Sequence, residues 1–479
     1  MYSLSRRQLL QSSSCGFGML ALAGMLESLG LRGNAAEGAS EKANPLLPRQ
    51  PHFPARAKRV IFMFMQGAPS HVDTFDFKPQ LEKDDGKTAG TGKGNRKLLK
   101  SPFAFNPAGN SGIEISELFP NLAKHADDLC LLNSLHCDLP NHPQASVQMH
   151  TGSFQFVLPS MGAWVLYGLG TENQELPGFI TLNLVGRVGG AQNYGSSFLP
   201  AAFQGTRIGG EGEPLAKASV PNIASRGVSK LDQRTQLDLV QELNRERLGR
   251  DKVNGDLEGI IESYELAFKM QSAVPKLMDI SDESPTTLEA YGIGSGSDGP
   301  MGRRGGKGGG GGTDNFGRQC LLARRFAEAG VRFIELSHPG WDQHQQLKAR
   351  LTTNSGALDQ PIAALINDLT QRGMLKDTLL NRGGEFGRTP HAQNEDGRDH
   401  NATGFSMWMA GGGVKGGLRY GATDEHGIKA EENKMHVHDL HATILHLLGL
   451  DHTRLTYNYS GRDFRLTEVH GNVAKEILA

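Results

Sequence analysis

Residues 60–65 (VIFMFM) are an unbroken apolar run, closed by a glycine at 67. Six apolar positions in succession leave no polar face, which suits a central strand buried on both sides of a sheet. A second strand is expected at 331–336, a third at 378–382 running into a loop, and a fourth from about 405, ending in the glycine turn GGGVKGG. Between them the period changes. Stretches 237–250 and 257–274 carry apolar residues at i, i+3 and i+4, the spacing of an amphipathic helix. The segment from 316 reads as a helix stopped at Gly330, and 359–372 as one stopped at Gly373. Stretch 118–135 reads as helix then strand, 146–153 begins a helix, and 436–450 is a further helix. Helices alternating with strands imply an α/β class with a largely parallel sheet. There is no internal repeat.

Composition narrows the picture. The chain has 479 residues, 38% hydrophobic and 21% charged, with 62 glycines. That length accommodates two or three average domains or one large α/β enzyme. A net charge of −1 gives no field to attract nucleic acid or an anionic membrane, so no nucleic-acid partner is expected. Arg6 and Arg7 precede a mildly apolar run broken by Ser12–Ser14. This reads as a twin-arginine export signal over 1–36, implying a periplasmic or extracellular protein. Past it no stretch reaches the roughly 20 apolar residues that span a bilayer. Residues 37–55, rich in Pro, Ala and charge, read as a linker, and 56–479 as a single domain with a disordered Gly-rich insertion at 292–315. Cys130, Cys137 and Cys320 form no zinc-finger pattern and read as buried small hydrophobes rather than a bridge. The oligomeric state is left open.

The candidate chemistry sits at the strand ends, where open α/β sheets bind ligands. After the first strand come His71, Asp73 and Asp76; after the second, His338, Asp342 and His344; after the third, Glu385 and Arg388; before the fourth, Asp399 and His400. Imidazoles mixed with carboxylates suit zinc, manganese or iron. Asp73, Asp342, His344, Glu385 and His400 are the candidate ligands, with Arg388 able to fork onto an anionic oxyacid. His436, His438, His441 and His446 lie at helical spacings and read as structural, His438 being the exception proposed as a ligand. Asn394, Glu395 and Asp396 read as the solvated crest of a strand-end loop.

Several stretches resemble the domain of unknown function 1501 family of exported, sulfatase-like bacterial proteins: VIFMFMQGAPSHVDTFDFKP, GWDQH, GGEFGRTP, GRDHN, MAGGGVKGG and the long C-terminal HVHDLHATILHLLGL segment. That family is similar to the alkaline phosphatase and sulfatase superfamily. The resemblance implies an alkaline-phosphatase-like α/β/α sandwich with divalent metal at the strand ends, whether zinc, manganese, iron or calcium. It also implies hydrolysis of phosphate or sulfate esters, with an anionic ester or a glycan, polysaccharides included, as substrate. Asp342, His344 and His400 resemble metal ligands. The superfamily's metal-binding Asp after the first strand is replaced by Gln66-Gly67, and its late Asp-His pair by Glu385-Phe386. NHPQASVQMHTG resembles the nucleophile segment, with His142 at the place of the sulfatase formylglycine-precursor Cys and Ser146 at that of its Arg. His142, Ser146 and Thr151 are therefore the candidates for nucleophile or acid–base group. Asn381 and Arg382 stand where the family leads one to expect apolar residues. A non-catalytic exported binding protein that kept this fold is the alternative.

Overall fold

The computed structural model describes residues 44–88, 96–184, 186, 188–210, 213–220, 227–251, 255–294 and 312–479. The stretch read as an export signal and most of the Gly-rich insertion lie outside them. Residues 456–464 separate as their own compact unit, a hairpin of Tyr457–Tyr459 against Arg462–Phe464.

The rest is built on one nine-stranded sheet. Its centre is β1 (Arg59–Met65). Further along the chain come β2 (Leu129–His136), helix α1 (His142–Thr151), α2 (Met161–Leu169), β3 (Phe179–Leu182) and β4 (Thr206–Ile208). Two long helices follow, α3 (Lys230–Asp251) and α4 (Gly255–Met278), then α5 (Thr313–Glu328), β5 (Phe333–His338) and α6 (Leu347–Gln371). The last third adds β6 (Thr378–Gly383), the hairpin β7 (Gly387–Gln393) and β8 (Gly397–Asn401), β9 (Phe405–Ala410), β10 (Leu418–Tyr420), β11 (Met435–His436) and α7 (Val437–Leu447).

The strand order is β10-β2-β9-β6-β1-β5-β3-β4, with β11 also on β2. Every pairing is parallel except the two made by β9. The unbroken apolar run does what its composition requires: Val60, Ile61, Phe62 and Met63 are all fully buried between β5 and β6. Alternation then assigns the two faces. Ile61 and Met63 join the core formed with Phe316, Leu321, Leu358 and Leu365 of α5 and α6. Phe62 and Phe64 turn the other way, onto the His150 ring of α1. Helices therefore cover both faces, giving a mixed α/β fold with a mostly parallel central sheet.

Three differences from the sequence reading have physical causes. Residues 44–55, read as a linker, run along the domain, with Arg49 N–H donating to Leu169 O and His52 N–H to Gly449 O. The stretch read as a strand-end loop is an antiparallel hairpin whose turn places Asn394 at φ 55°. The two polar residues within β6 are both buried. The Arg382 guanidinium lies 5.1, 5.5 and 5.3 Å from the rings of Phe75, Phe119 and Trp341, and burial lowers its pKa to about 9. Among the described residues it has no carboxylate partner, and ring faces stabilise such a guanidinium. Cys130, Cys137 and Cys320 are buried and free. Among the described residues no helix is long and apolar enough to cross a membrane.

Candidate metal centre

Three neighbouring parallel strands, β5, β1 and β6, end on the same edge of the sheet. β5 leads into Trp341, Asp342 and His344, β1 into Gln66 and Gly67, and β6 into Glu385 and Phe386. The β7–β8 hairpin folds back with His400 opposite Arg388, and α1 begins at His142 with Pro143 in its first turn. The donor atoms of His142, Asp342, His344 and His400 all lie within 4.8 Å of one another.

Asp342 is the hub. Its Oδ1 is 2.8 Å from His344 Nε2, 3.2 Å from His142 Nε2 and 3.3 Å from His400 Nε2. All three imidazoles direct Nδ1 outward onto an acceptor: His142 onto Glu385 Oε1 at 2.6 Å, His400 onto the Pro140 carbonyl at 2.8 Å, and His344 onto Gln393 Oε1. An Nδ1 that donates leaves Nε2 as a lone pair in the neutral ring. Three lone pairs thus point inward. The Nε2 atoms of His344 and His400 face each other at 3.0 Å, and His142 Nε2 is buried without a hydrogen bond. Two facing lone pairs repel, so the array is one that holds a cation between its nitrogens, whether a proton or a metal ion. The electrostatics agree. Burial opposes protonation of His142, but the Asp342 and Glu385 carboxylates outweigh it and raise its pKa to about 9. Desolvation also works against the Asp342 charge, yet His142, His400 and the Arg388 guanidinium hold it well below the usual carboxylate range. An N3O set of this kind fits a borderline divalent ion such as zinc or manganese better than calcium.

Behind the cluster sits a buried layer. Glu385 is fully buried and accepts from the Gly67 N–H at 3.0 and 3.3 Å. Arg388, also fully buried, donates to the Ala68 and Gly67 carbonyls and to Asp342 Oδ1 at 2.6 Å. Phe386 stacks on His142 at 4.8 Å and meets the His400 ring at a tilt, 4.9 Å away.

The structure therefore brings Asp342, His344 and His400 together and adds His142, which the sequence offered as a catalytic group. Glu385 stands one contact behind, on His142. Arg388 spends its fork on backbone carbonyls and Asp342 rather than facing outward. Asp73 lies apart, in a fully buried bidentate pair with Arg398 at 2.6 and 2.9 Å. His438 donates Nε2 to the Gly152 carbonyl at 2.6 Å. Ser146 Oγ accepts from Asn193 Nδ2 at 3.1 Å, and Thr151 Oγ1 is directed at the Val147 and Ser153 carbonyls. Two participants were not singled out from the sequence. Gln393 carries no local signal. Gly67 does: a glycine closing a buried strand marks a close backbone approach. Its φ is +108°, and a Cβ there would lie 2.6 Å from Asp342 N.

Residues 57–478 match the model of the family described as protein of unknown function (DUF1501), and the chain belongs to that family. No protein with a curated description matches it by sequence. Among solved structures it is similar to a sulfatase from Pseudoalteromonas sp., at 13% identity and TM-score 0.35, over 82% of this chain and 68% of that one. It is similar to a phosphonate monoester hydrolase from Silicibacter pomeroyi at 10% identity and TM-score 0.32, over 82% and 73%. It is also similar to a TAB5 alkaline phosphatase mutant at 12% identity and TM-score 0.31, over 78% and 96%.

Proposed function

We propose that this DUF1501 member is an exported, metal-dependent hydrolase of phosphate or sulfate esters, built on a single metal centre held by His142, Asp342, His344 and His400. The observation that carries the reading is the convergence of three Nε2 atoms on one carboxylate oxygen, with each imidazole's Nδ1 turned onto an acceptor. A divalent ion bound there supplies Lewis acidity toward an ester oxygen and lowers the pKa of water. The chain's own residues do the rest. Glu385 keeps His142 in the tautomer that presents Nε2. Arg388 aims Asp342 Oδ1 at the histidines and offsets its charge. The Asp342 and His344 side chains, 43% and 31% exposed, leave one side open for a substrate.

A second reading, a binding protein for anionic glycans that uses the same centre, is favoured by one observation. The Ser146 and Thr151 hydroxyls are buried and hydrogen-bonded away from the cluster, so neither is placed as a nucleophile.

Elemental analysis of the purified protein beside Asp342→Asn tests both. One equivalent of zinc, manganese or iron, absent from the variant, is expected. Metal-dependent turnover of p-nitrophenyl phosphate or sulfate then supports the hydrolase. Bound metal with no turnover but retained binding of a sulfated glycan supports the second reading. A metal-free native protein sinks the metal centre.

A further inference from the structure

We propose that Glu385 and Arg388 are positioning residues coupled through the backbone of one residue, Gly67, so that two of the four metal ligands are oriented by a single scaffold. The proposal rests on the metal-centre reading above. Neither residue places a donor atom in the cluster. Each is fully buried, and each touches one ligand: Glu385 holds His142 Nδ1, the nitrogen turned away from the cluster, at 2.6 Å, and Arg388 holds Asp342 Oδ1, the hub oxygen, at 2.6 Å.

What links them is the residue closing β1. The Gly67 N–H donates to both oxygens of Glu385, while the Gly67 carbonyl accepts from Arg388 Nη2. The two peptide groups that meet at the Gly67 Cα are both used, the N–H of the first toward the carboxylate and the carbonyl of the second toward the guanidinium. Gly67 itself cannot shift to relieve a misplaced partner. At φ +108° it packs against the backbone of Trp341 and Asp342, with only 2.6–3.0 Å available to a Cβ. A displacement of Glu385 is therefore passed to Arg388, and from there to Asp342. His344 has a separate support, Gln393 on β7, which touches none of this. Outer partners of metal-bound histidines fix tautomer and ring orientation, and their removal weakens metal binding by about 10–100-fold.

The test is a titration of the full chain with zinc alone, by calorimetry, for the native protein and Glu385→Gln, Arg388→Lys and Gln393→Ala, singly and paired. Glu385→Gln keeps the shape and removes the charge. It is expected to weaken zinc binding by about 10–100-fold while urea unfolding in chelator changes little. Loss of fold stability without loss of affinity would mark a merely structural role and overturn the proposal. Residues acting through one unit lose less together than the product of their separate losses. The Glu385→Gln/Arg388→Lys pair should behave so, whereas Glu385→Gln/Gln393→Ala should multiply. If the Glu385/Arg388 losses multiply fully, the coupling through Gly67 is refuted while the metal centre stands. Should Arg388→Lys fail to fold, Arg388→Gln, uncharged and shorter than arginine, takes its place in the same comparison. If the native protein binds no zinc, manganese or iron and His400→Ala is indistinguishable from it, the metal centre and this proposal fall together.

Discussion

Two histidine clusters occupy this chain, and they are put together in opposite ways. At the sheet edge, His142, His344 and His400 send Nδ1 outward and gather Nε2 around Asp342. At the start of α7 the direction reverses. His438 and His441 use Nε2 to donate to the Gly152 and Met149 carbonyls, tying α7 to α1, and His436 Nδ1 caps the helix by accepting from His438 N–H. Asp439 completes that cap by accepting from His436 N–H at 2.8 Å. The rings of the second cluster are as close as those of the first, 4.7 Å for His436–His438 against 4.7 Å for His344–His400. Proximity of imidazoles is thus a poor guide to metal binding. What separates a ligand set from a structural set is which nitrogen the surroundings have already engaged.

The contrast can be broken most directly at His400. His400→Ala is expected to abolish stoichiometric metal, a larger loss than the roughly 10–100-fold of an outer-partner change, while stability in chelator shifts by less than about 1 kcal/mol because the ring is partly exposed. Elemental analysis beside urea unfolding checks both halves. The mirror experiment is His441→Ala. That ring is fully buried and bonded at 2.7 Å to Met149 O. Its removal should cost about 2–4 kcal/mol of stability and leave metal content unchanged; metal loss there would erase the distinction.

A finer probe is pH. Burial pushes the His441 imidazole down to about 3 from an ordinary 6.5, against the opposing pull of the Met149 carbonyl. Above pH 6.5 the ring is neutral folded or unfolded and adds no pH dependence. As pH falls from 6.5 toward 3 the unfolded chain takes up a proton that the folded chain refuses, so stability drops across that window and the loss levels off below it. His441→Leu should unfold with a flatter stability–pH profile than the native chain over that range, measured by urea midpoints in chelator. The smallest effect belongs to His470, exposed and stacked on His438 at 5.2 Å. His470→Ala should change stability by less than about 0.5 kcal/mol and metal content not at all.

These two clusters also show what the sequence made legible. Asp342, His344 and His400 could be grouped because each adjoins an apolar strand whose end was readable, and parallel strands share an edge. The α7 histidines could be set apart because their spacing is helical. Glu385 could be found by the same strand-end rule, but not its place behind His142, since that depends on the Gly67 N–H, far away along the chain. Asp73 satisfied the strand-end rule too, and nothing local announces that Arg398 holds it. Arg382 broke the apolar pattern of β6 because three rings from separate segments surround it. Local periodicity reports which face a residue takes; the partner on that face is set by tertiary contact.

The place of β1 has a consequence for biosynthesis. Val60 finds its neighbours only at Phe333 and Leu379. At roughly 5–20 residues per second, the most apolar strand of the sheet leaves the ribosome tens of seconds before either edge can be covered. Until then it is a sticky, unpaired segment of the kind that seeds aggregation. Truncated products ending before β6 should therefore be insoluble even though they contain most of the helices.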